Sequence, residues 1–448
     1  MTRGICLLAI LCLPGLSLAI DVQGTIKRVD VDAARIVFTA PDGRDRDAKV
    51  AADAKLLDAE GKDLNGGLKS QQLKEGTKVR LTVSPENGRP VIQALRLGGN
   101  GGGAQAEGKA AAKAKGQAAP PAEPLPKLDT SALVALTDLP SSGEYHGKPG
   151  GLYPGGSNTR PAAHDKAGLE LARQIRPLDK DGKPAADGKI VLCTIGFSNT
   201  SQCSQGFIEV ARDDKSVNPQ VVIVNGAQGG RSAFMVKNAD DGTIGTAYWK
   251  EWVLEHLTAA GVTPAQVEVV WLKQTEASVG PAMLAQLGVK EYDVPVRQPF
   301  PKSAESLLAD LRLIVQILPK RFPNLKQCYV SSRSYGGWAL REGNREPFSY
   351  ETGFAVKWLI DEQIRGDAAL NFDSAKGEVK APWLSWGPYL WANGDRPRKD
   401  GFVFALDDFR ENDRMHHSAQ GMQKMGSELL KFFKTDSTTK TWFVRSAP

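Results

Sequence analysis

The segment GKIVLCTIGFSNTSQ (188–202) is an apolar, β-branched run that stops abruptly in small polar residues, with Ser198 two positions after Gly196. A serine hydroxyl attacks a carbonyl only when a base takes its proton, and an imidazole base works best when a carboxylate fixes its tautomer. Both partners occur in ENDRMHHSAQGMQKMG (411–426), where Asp413 precedes His416 by three residues and can curl back to the second ring nitrogen. The oxyanion formed in such a reaction needs donors placed in advance. NGAQGGRSA (225–233) is a glycine-rich turn that exposes backbone N–H groups, and WLKQTEA (271–277) carries Gln274 and Glu276 past a strand end. Ser198, Asp413 and His416 are therefore the candidate catalytic residues. The N–H groups of Ser198 and Gly230 and the side-chain amide of Gln274 are the candidate oxyanion donors. Asn199 is expected to shape the nucleophile turn and Glu276 to support the site.

These segments need a scaffold that brings them to one edge. From about 135 to 436, runs that are apolar throughout alternate with segments of helical period. KIVLCTIG (189–196), QVVIVNGA (220–227), VEVVWLKQ (267–274), QCYVSSR (327–333) and PWLSWGPYLWA (382–392) read as strands. The stretches 246–261, 303–322, 353–366 and 418–434 read as amphipathic helices, the last with Ser418 placed as its N-cap. Continuous apolar strands between helices predict a parallel α/β sheet covered on both faces, with ligands met by the loops at the carboxyl ends of the strands. All four candidate segments follow such ends or precede the last helix.

In this order the segments resemble the GDSL/SGNH hydrolase superfamily. Gly196-Phe197-Ser198 stands where the family has Gly-Asp-Ser, Gly230 matches its second-block glycine, and Asp413-Arg414-Met415-His416 matches its closing Asp-x-x-His. Gln274 falls where most members carry an oxyanion-hole asparagine, and WLKQTE is similar to the Trp-x-x-Gln-Gly-Glu pattern of the carbohydrate acetylesterase branch. The resemblance spans roughly 300 residues. It implies a flavodoxin-like three-layer α/β/α fold, Ser198 as nucleophile and ester hydrolysis without cofactor or metal. Phe197 departs from the aspartate, and Thr275 from the glycine after Gln274.

Two other readings stay open at this level. YVSSRSYGGWA places Ser334 in a near-match to the G-x-S-x-G elbow of α/β-hydrolases, with Asp361 or Asp367 and then His416 in suitable order. Alternatively, the fold is a non-catalytic exported scaffold that binds glycans, for which the aromatic stretch 386–401 is suited. The stretch 150–164 reads as a strap over the domain. His146 and His164 lack evident carboxylate partners, so no metal site is expected, and His256 reads as structural.

The chain of 448 residues is long enough for two domains. MTRGICLLAILCLPGLSLA (1–19) has the charged start, short apolar core and small-residue end of a secretory signal, which predicts export to the periplasm or beyond. Residues 20–98 alternate in polarity between turns such as PDGRD and PENGRP, predicting a small barrel that resembles OB-like modules, with Phe38 in its core. Residues 99–134, rich in Gly, Ala, Lys and Pro, read as a tether between that barrel and the hydrolase-like domain at 135–448. Cleavage of the signal leaves Cys193, Cys203 and Cys328, an odd number that excludes a disulfide scaffold and suits buried free thiols. A formal charge of +6 spread along the chain leaves no nucleic-acid footprint, and no later segment is apolar enough to span a bilayer. The expected partner is a small-molecule or polysaccharide ester.

Overall fold

The computed structural model describes residues 20–39, 45–58, 62–86, 89–97, 128–139, 143–276 and 298–445. The expected signal sequence and residues 99–127 of the expected tether lie outside them. The chain divides into two compact units, Met1–Ala119 and Pro120–Pro448.

In the first unit, alternating polarity produces five strands: β1 (Ile20–Asp30), β2 (Arg35–Thr39), β3 (Asp45–Leu57), β4 (Lys78–Glu86) and β5 (Arg89–Leu97). They close into a barrel in the order β1-β2-β3-β5-β4, with β3 and β5 parallel and the other pairs antiparallel. The inward positions hold Ile26, Ile36, Phe38, Leu81, Ile92 and Leu95, all buried. Closure removes the unpaired edges that a five-stranded open sheet would expose.

The second unit opens with a short hairpin, β6 (Glu144–Tyr145) and β7 (Lys148–Pro149), and then builds a parallel sheet from β8 (Ile190–Gly196), β9 (Val221–Asn225), β10 (Val267–Lys273), β11 (Gln327–Val330) and β12 (Trp383–Trp386). Every residue of β8, β10, β11 and β12 is buried, as strands covered on both faces must be. The order is β12-β11-β10-β8-β9. Counted within the sheet this is 2-1-3-4-5, the flavodoxin-like winding, whose switch point lies between β8 and β10. The helices are α1 (Ala162–Ala172), α2 (Ser198–Asp213), α3 (Ala233–Val236), α4 (Ile244–Ala247), α5 (Val253–Ala259), α6 (Lys302–Arg321), α7 (Phe348–Ile364), α8 (Ala419–Thr435) and α9 (Lys440–Phe443). A π-helical turn, Tyr248–Trp252, joins α4 to α5. No helix among the described residues is long and apolar enough to cross a membrane.

Several sequence expectations shift. The run 382–392 forms a strand only over Trp383–Trp386: the Gly387 N–H gives the last ladder bond, to Val330 O, and beyond it Pro388 O accepts from the Ser331 side chain in place of a backbone N–H. Helix α7 starts at Phe348, five residues before the expected 353, because Glu346 Oε2 accepts the Tyr350 N–H and satisfies an otherwise open donor of the first turn. The segment expected as tether up to 134 is already attached by Thr130, since Asn393 Nδ2 donates to the carbonyls of Thr130 and Leu133. Part of the expected strap becomes α1, where His164 Nε2 bonds Leu384 O and its ring stacks on Trp383. Cys193, Cys203 and Cys328 are buried free thiols.

Helices α2 and α8 cross with almost no space between them. A Cβ on Gly206 would stand 1.9 Å from Met422 O, and one on Gly426 would stand 2.3 Å from the Gly206 carbonyl carbon. Backbone cannot yield to a methyl as a flexible side chain can. Gly206→Ala is therefore expected to lose about 1–3 kcal/mol of stability through overpacking, measurable by urea unfolding, and to disturb whatever depends on the two helix starts. A variant as stable as the parent would contradict this packing account.

Candidate active site

Ser198 is the first residue of α2, immediately after β8 at the switch point of the sheet. The turn requires glycine at 196: a Cβ there would lie 2.1 Å from Lys273 O on the neighbouring strand. Thr200 Oγ1 donates to that same Lys273 carbonyl, fastening the first helical turn to the end of β10. The N-cap is Phe197, with no side-chain cap, so neither Ser198 nor Asn199 caps the helix. The hydroxyl at 198 thus stands at the positive end of a 16-residue helix, where negative charge is favoured.

Three side chains from this helix start meet the loop before α8. Ser198 Oγ lies 2.8 Å from His416 Nε2, Asn199 Nδ2 donates to Met415 O at 2.9 Å, and Gln202 Oε1 accepts the His417 N–H at 2.9 Å. His416 Nδ1 lies 2.7 Å from Asp413 Oδ2, while Asp413 Oδ1 accepts the N–H groups of Met415 and His416. The carboxylate therefore holds the imidazole so that Nδ1 donates and Nε2 can accept from the serine. Arg414 adopts φ +51°, the left-handed bend that lets a segment of four residues close on itself. Ser418 accepts the Gly421 N–H and caps α8 as its position suggested.

The loops expected to hold an oxyanion form a second knot of bonds. Gln228 N–H donates to Gly196 O, Ala233 N–H to Thr275 O, and Gln274 Nε2 to Arg231 O at 2.9 Å. Gly229 is so close that a Cβ on it would sit 3.8 Å from Ser198 Cβ, and Gly230 takes φ +73°. Gln274 thus spends one amide hydrogen on fixing the glycine loop, a clamp that its residue type alone did not reveal. Glu276 Oε2 accepts the Phe234 N–H. Burial, with Asp310 beside it, pushes the Glu276 carboxyl well above its ordinary range.

The rival serine has a different partner from the one sequence order suggested. Ser334 Oγ lies 3.1 Å from Nε2 of His417, not His416, and both residues are buried. Asp361 pairs with Arg365, and Asp367 accepts from Ala369 N–H, so neither orients a histidine. His417 Nδ1 has no partner. Two adjacent histidines therefore point to two serines, and only His416 has a carboxylate behind it. Gln202 and the Ser334–His417 pair were missed in the sequence; the i, i+4 spacing of Gln202 from Ser198 was the available signal.

Phe197 occupies a cationic niche. Lys273 Nζ lies 5.1 Å and the Arg333 guanidinium 5.8 Å from its ring centre. An aspartate here would face two cations; the phenyl ring meets them through its π faces. Burial lowers the Lys273 ammonium to about 8. Among the described residues no three His, Cys, Asp or Glu side chains cluster as a metal site requires.

Burial on its own would raise the Asp413 carboxyl, but hydrogen bonds from the His416 ring and N–H and from Met415 N–H outweigh it and bring it down to about 2. His416→Ala removes the strongest of these, so the Asp413 carboxyl resonance is expected to move up toward the ordinary value near 3.9 in an NMR titration. His417 behaves oppositely to a paired histidine. Burial first, then the charges of Lys273 and His416, hold its pKa down to about 3, whereas an unfolded histidine titrates near 6.5. Between those values the unfolded chain binds a proton that the folded chain refuses. Stability should therefore fall as pH drops from about 6.5 toward 3, by up to about 1.4 kcal/mol per pH unit. Urea unfolding of His417→Asn over the same range should show a slope shallower by about one proton; an unchanged slope would contradict the buried neutral ring.

No protein-family model and no curated protein matches the chain. Among solved structures, apo-CusF from Escherichia coli aligns with 20% of this chain and 100% of its own, at 11% identity and a TM-score of 0.15. Protein YxiM from Bacillus subtilis aligns over 56% of this chain and 57% of its own, at 11% identity and a TM-score of 0.28. BT4096, described as a gut microbial diltiazem-metabolizing enzyme, aligns over 58% of this chain and 48% of its own, at 15% identity and a TM-score of 0.29. The chain spans about half the length of the last two. Likenesses at these scores carry no functional inference.

Proposed function

We propose that the α/β unit is a serine ester hydrolase acting through an acyl-serine intermediate. The observation that carries this reading is the unbroken chain Asp413 Oδ2–His416 Nδ1 and His416 Nε2–Ser198 Oγ, at 2.7 and 2.8 Å, assembled from β8, α2 and the loop before α8. Ser198 Oγ attacks the ester carbonyl while its proton passes to His416 Nε2, and Asp413 stabilises the imidazolium. The N–H groups of Ser198 and Gly230, with the second hydrogen of the Gln274 amide, receive the oxyanion. Collapse expels the alcohol, which takes the proton back from His416. Water, deprotonated by the same imidazole, then releases the acid and regenerates Ser198. The chemistry requires no cofactor.

An O-acylated carbohydrate outside the cell is the substrate class we favour, given the export signal and the Gln274-Thr275-Glu276 segment. A groove of about 860 Å³ supports room for such an alcohol portion. Tyr335, Trp338, Leu340, Asn393, Arg396 and Leu406 line it, and the Leu340 N–H donates to Asp413 O, which puts the groove beside the catalytic loop. Leu340 and Leu406 are exposed, apolar surface of the kind a ligand or partner covers.

Ser198→Ala and His416→Ala are each expected to lower kcat on p-nitrophenyl acetate and on acetylated polysaccharide by at least about a thousandfold. Ser334→Ala should cost far less, since Ser334 only anchors His417. Turnover that survives both Ser198→Ala and His416→Ala overturns the assignment.

A further inference from the structure

Buried and half-buried cations in this unit generally have acceptors. Arg160 meets Asp165 and Asp436, Arg398 meets Asp400, Lys237 meets Asp310, and Lys357 donates to the carbonyls of Pro149 and Gly150. Two cations at the nucleophile end of the sheet depart from this. Arg231, next to Gly230 on the proposed oxyanion loop, forms no ion pair among the described residues, and its buried Nε has no hydrogen-bond partner. Lys273, the last residue of β10, is fully buried with Nζ equally unpartnered. Beside them, the buried hydroxyls of Ser232 and Thr275 are unpartnered too. All four groups can donate a hydrogen bond, and they lie at the end of β10 and on the two loops that the Gln274–Arg231 and Ala233–Thr275 bonds tie together.

Among the described residues, the acids nearby do not answer this charge. Asp413 is committed to His416, and Glu276 faces Asp310 and Lys237, where burial and its acidic neighbour favour its neutral form. Arg231 is half-buried, not sealed. Its planar fork suits a carboxylate or sulfate, two acceptor oxygens at a time. Lys273, out of reach beneath Phe197, adds its field without contact.

We propose that the ester substrate carries an anionic substituent, a carboxylate or sulfate, and that Arg231 binds it beside the nucleophile. This rests on the esterase reading for the word substrate, but the anion site can be tested apart from it. Two matched probes differ only in charge: an O-acetylated methyl glucuronoside and the corresponding O-acetylated methyl glucoside. With the full chain carrying Ser198→Ala, calorimetry should show the glucuronoside bound at least tenfold more tightly at low salt, an advantage that shrinks as salt screens it. Adding Arg231→Gln should bring the two probes to near parity, while Arg231→Lys, which keeps the charge, should restore part of the preference. In the wild type, kcat/KM should show the same preference and the same loss. Equal binding of the two probes, no measurable binding, or a preference that survives Arg231→Gln overturns the proposal. A charge preference in binding with no hydrolysis of either probe by the wild type keeps the anion site and removes the esterase reading.

Discussion

The α2–α8 crossing at Gly206 and Gly426 sets the geometry of everything at the switch point. Ser198 begins one of these helices and His416 lies just before the cap of the other, so the distance between hydroxyl and imidazole is governed by how closely two backbones approach. A third glycine extends the constraint: a Cβ on Gly421, in the first turn of α8, would lie 1.9 Å from Asp408 O. The loop between Asp408 and Ala419 is thereby pinned at its base. Only small residues allow helix axes to come so near, and at this contact the gain is positional.

Around that fixed distance the protein divides two similar dyads by their surroundings. His416 and His417 are neighbours in sequence, and each faces a serine at hydrogen-bond distance. His416 is partly exposed and backed by Asp413, so a proton arriving at Nε2 meets a compensating charge. The His417 ring is buried against Phe409 and Ser334, its backbone N–H donates to Gln202 Oε1, and Lys273 is close enough to disfavour a second positive charge. One imidazole can cycle its proton, while the other is held neutral and serves as an anchor. The carboxylate behind the ring, more than the presence of a serine in front of it, separates the two.

The central strands were legible in the sequence because burial on both faces leaves an unbroken apolar run. The expected 189–196 and 267–274 differ from Ile190–Gly196 and Val267–Lys273 by one residue at an end. The edge was harder, since Trp383–Trp386 continues into equally apolar residues beyond the last ladder bond at Gly387. The start of α7 was obscured because its cap comes from Glu346, outside any helical period. At the site, Asp413 and His416 were readable as a local i, i+3 pair, and Ser198 from its place after a strand. What sequence could not display was pairing between distant segments. Ser334 with His417, Gln202 with the His417 amide, and Gln274 with the Arg231 carbonyl each join distant segments whose proximity exists only once the sheet order is known.

On the proposed mechanism one hydroxyl, at 198, is made reactive by the imidazole at 416 while an equally histidine-bonded hydroxyl at 334 is not. A fluorophosphonate forms a stable bond only with an activated serine, so treating the full chain with it and mapping the modified peptide by mass spectrometry distinguishes the two directly. A single adduct on Ser198, abolished in His416→Ala, is expected. An adduct on Ser334, or no adduct on a folded protein, would contradict that mechanism.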